Sequence, residues 1–341
     1  MHDQLGWGIM LALLGGALNG SFAAPMKRLS PWRWENTWLV YAVTGLIIFP
    51  WMMALSTIPH LAHVYQQTSA PVLGKVSLFG FLWGIGGVLF GLGIARVGLA
   101  LGFAVILGIT SSFGSLLPPV ILHRDQLGTR RGMALMAGTV VMTVGLVLLG
   151  IAGKRREREQ TSAAAPTGSG GFGIGLLICI LAGLFSSMFN FAFIFGEEVR
   201  QHALAAGASG TMAGNAIWTI SVGSGFIVNA AYCIYLLNKN RTWAVFLEKP
   251  AHTGYWLGAS LMGALWFSGI IVYGMGAAAL GAWGAIIGWP VYMAININTG
   301  IAWGFLGGEW KGASRASLGY CITGIVVLFL AIAVIASGNV G

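Results

Sequence analysis

Long runs without a charged side chain constrain this sequence more than any other feature. No Asp, Glu, Lys or Arg occurs from Gln4 to Met26, Asn36 to Gly74, Val97 to His123 or Gly132 to Gly153. The second half continues in the same way, over Gln160–Gly196, Gln201–Asn238, Pro250–Gly308 and Ala316–Gly341. A helix that crosses hydrocarbon needs roughly 20 apolar residues, so each run holds one spanning helix with a loop, or two helices. Only 8% of the 341 residues are charged and 57% are hydrophobic, against about a quarter charged in soluble domains. A soluble fold would leave much of that apolar surface uncovered. The fold class is therefore an all-α polytopic membrane protein. Segments bounded by charge, proline or polar clusters predict ten transmembrane helices, near 5–24, 37–57, 75–95, 98–122, 132–152, 172–195, 211–237, 254–275, 281–306 and 317–337. Arg96 and Gly98 mark the turn between the third and the fourth.

Lysine and arginine orient the segments. Lys27, Arg28, Arg33, Arg96, the Lys154–Arg158 cluster, Lys239, Arg241, Lys249, Lys311 and Arg315 all follow odd-numbered helices. The other side holds Lys75, Arg124, Arg130, Arg131 and Arg200. Cations concentrate in cytoplasmic loops, which places both termini outside the cytoplasm, periplasmic in a bacterium. The same rule accounts for the net charge of +9 without nucleic acid, since no basic stripe is interleaved with aromatics. Nothing basic precedes the first apolar run, so it does not read as a signal peptide. Cys179, Cys233 and Cys321 are scattered through apolar runs and read as small buried hydrophobes, not as a metal site or disulfide framework.

One stretch occurs twice. LWGIGGVLFGLGIARVG from Leu82 matches LWFSGIIVYGMGAAALG from Leu265 at Leu-Trp, Gly86/Gly269, Phe90-Gly91/Tyr273-Gly274, Gly93/Gly276, Ala95/Ala278 and Gly98/Gly281. All pairs share one offset of about half the chain. Near the midpoint, Lys154–Gly171 changes abruptly from mixed charge to Ala, Pro, Ser and Gly, the composition of a flexible linker. Residues 1–153 and 172–341 are then two five-helix repeats. An odd helix number inverts the second copy, an arrangement that places a binding site near midplane between repeats.

Polar groups in apolar helices are costly, and each needs a reason. The seventh helix carries Asn215, Trp218, Val222, Gly225, Asn229 and Tyr232 on one face, and the ninth carries Trp289, Tyr292, Asn296, Thr299 and Trp303. Asn19 and Ser21 in the first helix, Thr110, Ser111, Ser112 and Ser115 in the fourth, and Ser186, Ser187 and Asn190 in the sixth add to this set, with Trp83 and Trp266 at the repeated Leu-Trp. An amide beside an indole suits a sugar: the amide serves hydroxyls, and the ring covers the apolar C–H face. The same residues could instead bridge helices and anchor at the interface. Of the carboxylates, Glu35, Glu197, Glu198 and Glu309 lie at helix ends, and Glu35 and Glu198 are the candidates for carrying a proton. No HExxH, Walker A or dinucleotide motif occurs, and no cofactor is implied. The GxSG at Gly207–Gly210 lacks the buried histidine that a serine hydrolase needs.

NGSFAAPMKRLSPWRWENTW (Asn19–Trp38) resembles the first-helix signature of the L-rhamnose–proton symporters of the drug/metabolite transporter superfamily. LFGFLWGIGGVLFGLGIARVGLALG (Leu78–Gly102) is similar to that family's third and fourth helices, and Gly308–Lys311 resembles its Glu-Trp before the last helix. The resemblance implies ten helices in two inverted halves, a bacterial inner membrane, and uptake of L-rhamnose or a related deoxy sugar with a proton. Lys27, Trp34, Glu35, Trp83 and Arg96 match the family's motif positions. This chain has Gly87 where the family tends to have asparagine, and Trp283–Ile286 where it has polar and acidic residues. Alternating access around a site lined by helices 1, 3, 4, 6, 8 and 9 follows as the mechanism. An uncoupled facilitator or exporter of another metabolite remains open, as does a membrane ligand sensor that moves nothing.

Overall fold

The computed structural model describes residues 2–30, 32–97, 99–160, 172–247 and 252–338. Ten of its helices are long and apolar enough to cross a membrane. They are α1 (His2–Gly20), α2 (Trp34–Thr57), α3 (Ala70–Val97), α4 (Leu99–Leu122), α5 (Arg130–Gln160), α6 (Phe172–Phe195), α7 (Asn215–Asn240), α8 (His252–Ala279), α9 (Gly284–Leu306) and α10 (Arg315–Ser337). No strand occurs among the described residues. The protein is multi-pass and all-helical.

Local chemistry sets the helix ends and bends. Ser314 caps α10 by accepting from the Ser317 amide. In α2 the backbone passes through a π turn over Thr44–Ile48, just before Pro50. Proline has no N–H, so the preceding turn loses a ladder bond and the register slips by one residue. Thr44 supports the slip by bonding the Val40 and Tyr41 carbonyls at 2.8 and 3.1 Å. At the other end of the first half, α5 runs on through Lys154–Gln160 as helix. Lys, Arg, Glu and Gln are good helix formers, and Glu159 is tied to α10 by three bonds from Ser314 and Ser317. The rest of the expected linker, 161–171, and the Gly98 turn lie outside the described residues. Two short helices that the sequence did not announce, Leu61–Gln67 and Glu197–Ala205, cap the same end of the bundle and pack on each other.

Helix packing follows one rule. α3 lies along α6 and α8 along α1; α3 meets α7 and α8 meets α2; α4 meets α6 and α9 meets α1; α5 lies along α10. Exchanging each helix with the one five places on turns the first six of these pairings into one another and α5–α10 into itself. The glycines shared by the two copies make the closest approaches. A Cβ on Gly86 would come within 2.7 Å of the Ser186 amide in α6, and one on Gly269 within 2.8 Å of the Asn19 amide in α1. Likewise Gly93 abuts Cys179, and Gly276 abuts Gly8 and Ala12. In lipid, where apolar surface does not drive helices together, such small-residue contact is what holds them. The outer faces expose Leu55, Val140, Leu257 and Ile322, as hydrocarbon requires.

Candidate functional site

The repeated Leu-Trp places α3 and α8 so that their tryptophans meet. Trp83 and Trp266 stack with ring centroids 5.5 Å apart and planes 26° from parallel. Phe189 of α6 covers both, at 5.2 and 5.9 Å, and its other side stacks on Trp218 at 4.9 Å. Trp218 is closed on its far face by Phe193. Tyr273, Trp289 and Tyr292 extend the cluster from α8 into α9. Tyr41 of α2 joins Trp266 to Phe22.

Polar groups around this cluster divide by how much of their hydrogen bonding is already used. Asn19 donates to the Trp266 carbonyl at 3.2 Å and accepts from Asn296 at 2.7 Å, joining α1, α8 and α9. The Asn296 carbonyl oxygen keeps no protein partner. The same holds, among the described residues, for the indole N–H groups of Trp83 and Trp266 and the hydroxyls of Ser186, Tyr41 and Tyr292, although none of these atoms is sealed from water. Aromatic faces edged by these unpartnered donors and acceptors have the chemistry that a molecule with several hydroxyls and an apolar face requires.

Other candidates are committed elsewhere. Asn190 is fully buried; it donates to the Gly114 and Ala285 carbonyls and accepts from Tyr273 at 2.6 Å, so it joins α4, α6, α8 and α9. Asn215 donates to Thr57 at 3.1 Å and ties α7 to the end of α2. Ser112 pairs with Thr143 of α5 and lines a groove with Ile109, Phe113 and Leu116. Ser21 donates to the Ala17 carbonyl and accepts from Trp303 at 2.9 Å. The Trp289 indole donates to the Thr110 carbonyl.

The carboxylates take different places. Glu35 is 4% exposed and accepts from Asn240 and Thr242, both at 2.9 Å, with no ion pair among the described residues. It sits where α2 begins and α7 ends. Glu198 accepts the Ser69 amide and hydroxyl at 2.6 and 2.9 Å, clasping the two short helices at the opposite end of the bundle. Arg96 is exposed and bonds its own helix at Leu92. The Lys27 side chain lies outside the described residues. No cluster of three or more His, Cys, Asp or Glu occurs among the described residues.

Access to the cluster is uneven. Gly80 and Gly84 of α3 press against Ser221 and Gly225 of α7, but the next glycines toward Arg96 make no such close approach. Gly87 meets only Asn229, at 3.8 Å, and Gly91 meets nothing within 4 Å. Gly274, the match of Gly91 in the second copy, is closed by the Trp218 indole at 3.3 Å. Trp38 donates to Asn229 at 3.0 Å and stacks on Trp34.

Sequence reasoning missed Tyr41, Phe22 and Phe189. The signal was available in the repeat: Phe22 pairs with Tyr41, as Phe189 pairs with Trp218. It is too short to see without the helix pairing.

Comparison with known proteins identifies a family. The family model "L-rhamnose-proton symport protein" matches residues 1–341. An L-rhamnose-proton symporter of Cronobacter sakazakii is 29% identical over 346 residues, covering 99% of each chain. Symporters of the same name from Klebsiella pneumoniae and Escherichia coli are each 28% identical with the same coverage. With a full-length family match and ten spans, the chain belongs to the L-rhamnose-proton symport family, a family of secondary transporters and not of enzymes.

Proposed function

We propose that this protein imports L-rhamnose or a related deoxy sugar together with a proton across a bacterial inner membrane. Two inverted five-helix repeats alternate access to one site. One observation carries the reading: two repeat-equivalent tryptophans stack at the centre, ringed by donors and acceptors that have no protein partner. A deoxy sugar has the matching chemistry, with hydroxyls for Asn296, Ser186, Tyr41 and Tyr292 and an apolar face and methyl for the indoles. The exchange rule among helix pairings supports the inverted repeat. The open space at Gly91, against the closure at Gly274, supports a state open toward the arginine-rich end. By the positive-inside rule that end is cytoplasmic and both termini are periplasmic.

Proton coupling rests on Glu35. Its carboxylate is bonded by Asn240 and Thr242 where α2 begins and α7 ends, so a change in that junction changes its hold on a proton. Glu198 is the weaker candidate, because its oxygens clasp a surface turn in this state.

Uptake of labelled L-rhamnose into proteoliposomes tests the reading. Accumulation above equilibrium only under an inward proton gradient establishes symport. Equilibration without accumulation replaces symport by facilitation, and no uptake removes the sugar assignment.

A further inference from the structure

The last turns of α5 present cations on two sides, and the two sides are used differently. Arg156 faces the protein, 3.4 Å from Glu309 and over the Trp310 ring at 4.8 Å. Lys154, Arg155 and Arg158 line an open cleft of about 440 Å³ with Ile151 and Glu159. Arg155 is steadied over the Tyr320 ring of α10 at 5.4 Å. The oxygens of Glu159 are occupied by Ser314 and Ser317, so its carboxylate is held by α10 while its charge is felt by Arg155, leaving the cleft a net cationic rim. Neither Lys154 nor Arg158 has an ion pair among the described residues.

Below the cleft the same face of α5 is apolar and uncovered. Val140, Val144, Val147 and Ile151 are 63%, 50%, 52% and 38% exposed. Their spacing of three and four residues makes one stripe, and Lys154, Arg155 and Arg158 continue it in the same steps. A cationic rim above an apolar track matches one kind of molecule, an anion with a hydrocarbon tail. A membrane anchor charge needs no cleft, and a free phosphate needs no track.

We propose that this face of α5 binds an anionic phospholipid, its phosphate among Lys154, Arg155 and Arg158 and an acyl chain along Val140–Ile151. Such basic pockets at membrane depth select anionic headgroups by charge and hydrogen bonding.

The test uses the full chain, purified and returned to nanodiscs of phosphatidylcholine with or without phosphatidylglycerol. Native mass spectrometry reads bound lipid, and thermal unfolding reads stabilisation. Phosphatidylglycerol is expected to be retained at least about tenfold more strongly than phosphatidylcholine, and the preference should weaken in high salt. The double variant Lys154→Gln/Arg158→Gln should lose the preference, and Lys154→Arg/Arg158→Lys should keep it. Equal retention of the two lipids by the wild-type protein overturns the proposal, and so does an unchanged preference in the glutamine variant. Stabilisation by inorganic phosphate alone, equal to that by the lipid, also overturns it in favour of a free-anion site. The wild-type comparison decides the matter even if the glutamine variant does not fold.

Discussion

Three asparagines in this bundle show how differently one residue type can be used. Asn190 spends both ends of its amide inside the protein, on two carbonyls and the Tyr273 hydroxyl. Asn190→Ala should therefore act on stability, costing about 1–3 kcal/mol for the groups left unpaired, and thermal unfolding in detergent will show it. Asn296 gives only its N–H to Asn19 and keeps its oxygen for a ligand. Asn296→Ala should raise the KM for sugar uptake about tenfold, near 1.4 kcal/mol, with expression close to normal; an unchanged KM returns Asn296 to a packing role. Asn298 is buried with neither amide atom paired. A leucine of similar size removes that cost, so Asn298→Leu should stabilise this state by about 1–2 kcal/mol, read as a higher melting temperature. A drop in melting temperature would show that the amide is satisfied by water.

At the scale of helices, the contrast between α3 and α8 is informative. Matched glycines, Gly91 and Gly274, lie in an open and a closed environment. In a background with the buried cysteines Cys179, Cys233 and Cys321 replaced, Gly91→Cys should react with a maleimide applied from the arginine-rich side. Gly274→Cys should be protected in the same state. Equal reactivity would mean that the two ends are not alternately gated. The junction of α2 and α7 carries the second element-level expectation. Glu35→Gln keeps the shape and the bonds to Asn240 and Thr242 but cannot change charge, so gradient-driven accumulation should disappear while sugar exchange between equal pools continues. Retained accumulation would exclude Glu35 as the proton carrier.

For the whole molecule, the class and the number of spans were written in the charge-free runs. Hydrocarbon imposes helix length and polarity on each segment independently, and no tertiary contact is needed to read them. The repeated Leu-Trp-x-x-Gly was also legible, because a duplicated surface keeps its close-packing glycines. What the chain did not disclose is which polar side chains remain free. Asn19, Asn190, Asn215 and Ser112 look alike along their helices, and only the partner on a neighbouring helix separates a bridge from a ligand group. Tyr41 and Phe189 carried no signal of their own, since an aromatic residue in a membrane helix is ordinary until it faces Trp266 or Trp83. The sequence by itself determined ten apolar helices, the repeated Leu-Trp-x-x-Gly and the location of charge, because solvation acts on each segment alone. The tertiary structure decided that Trp83 and Trp266 stack, that Gly274 is covered while Gly91 is not, and which hydrogen-bonding groups are left over, because those follow from pairing across helices far apart in the chain.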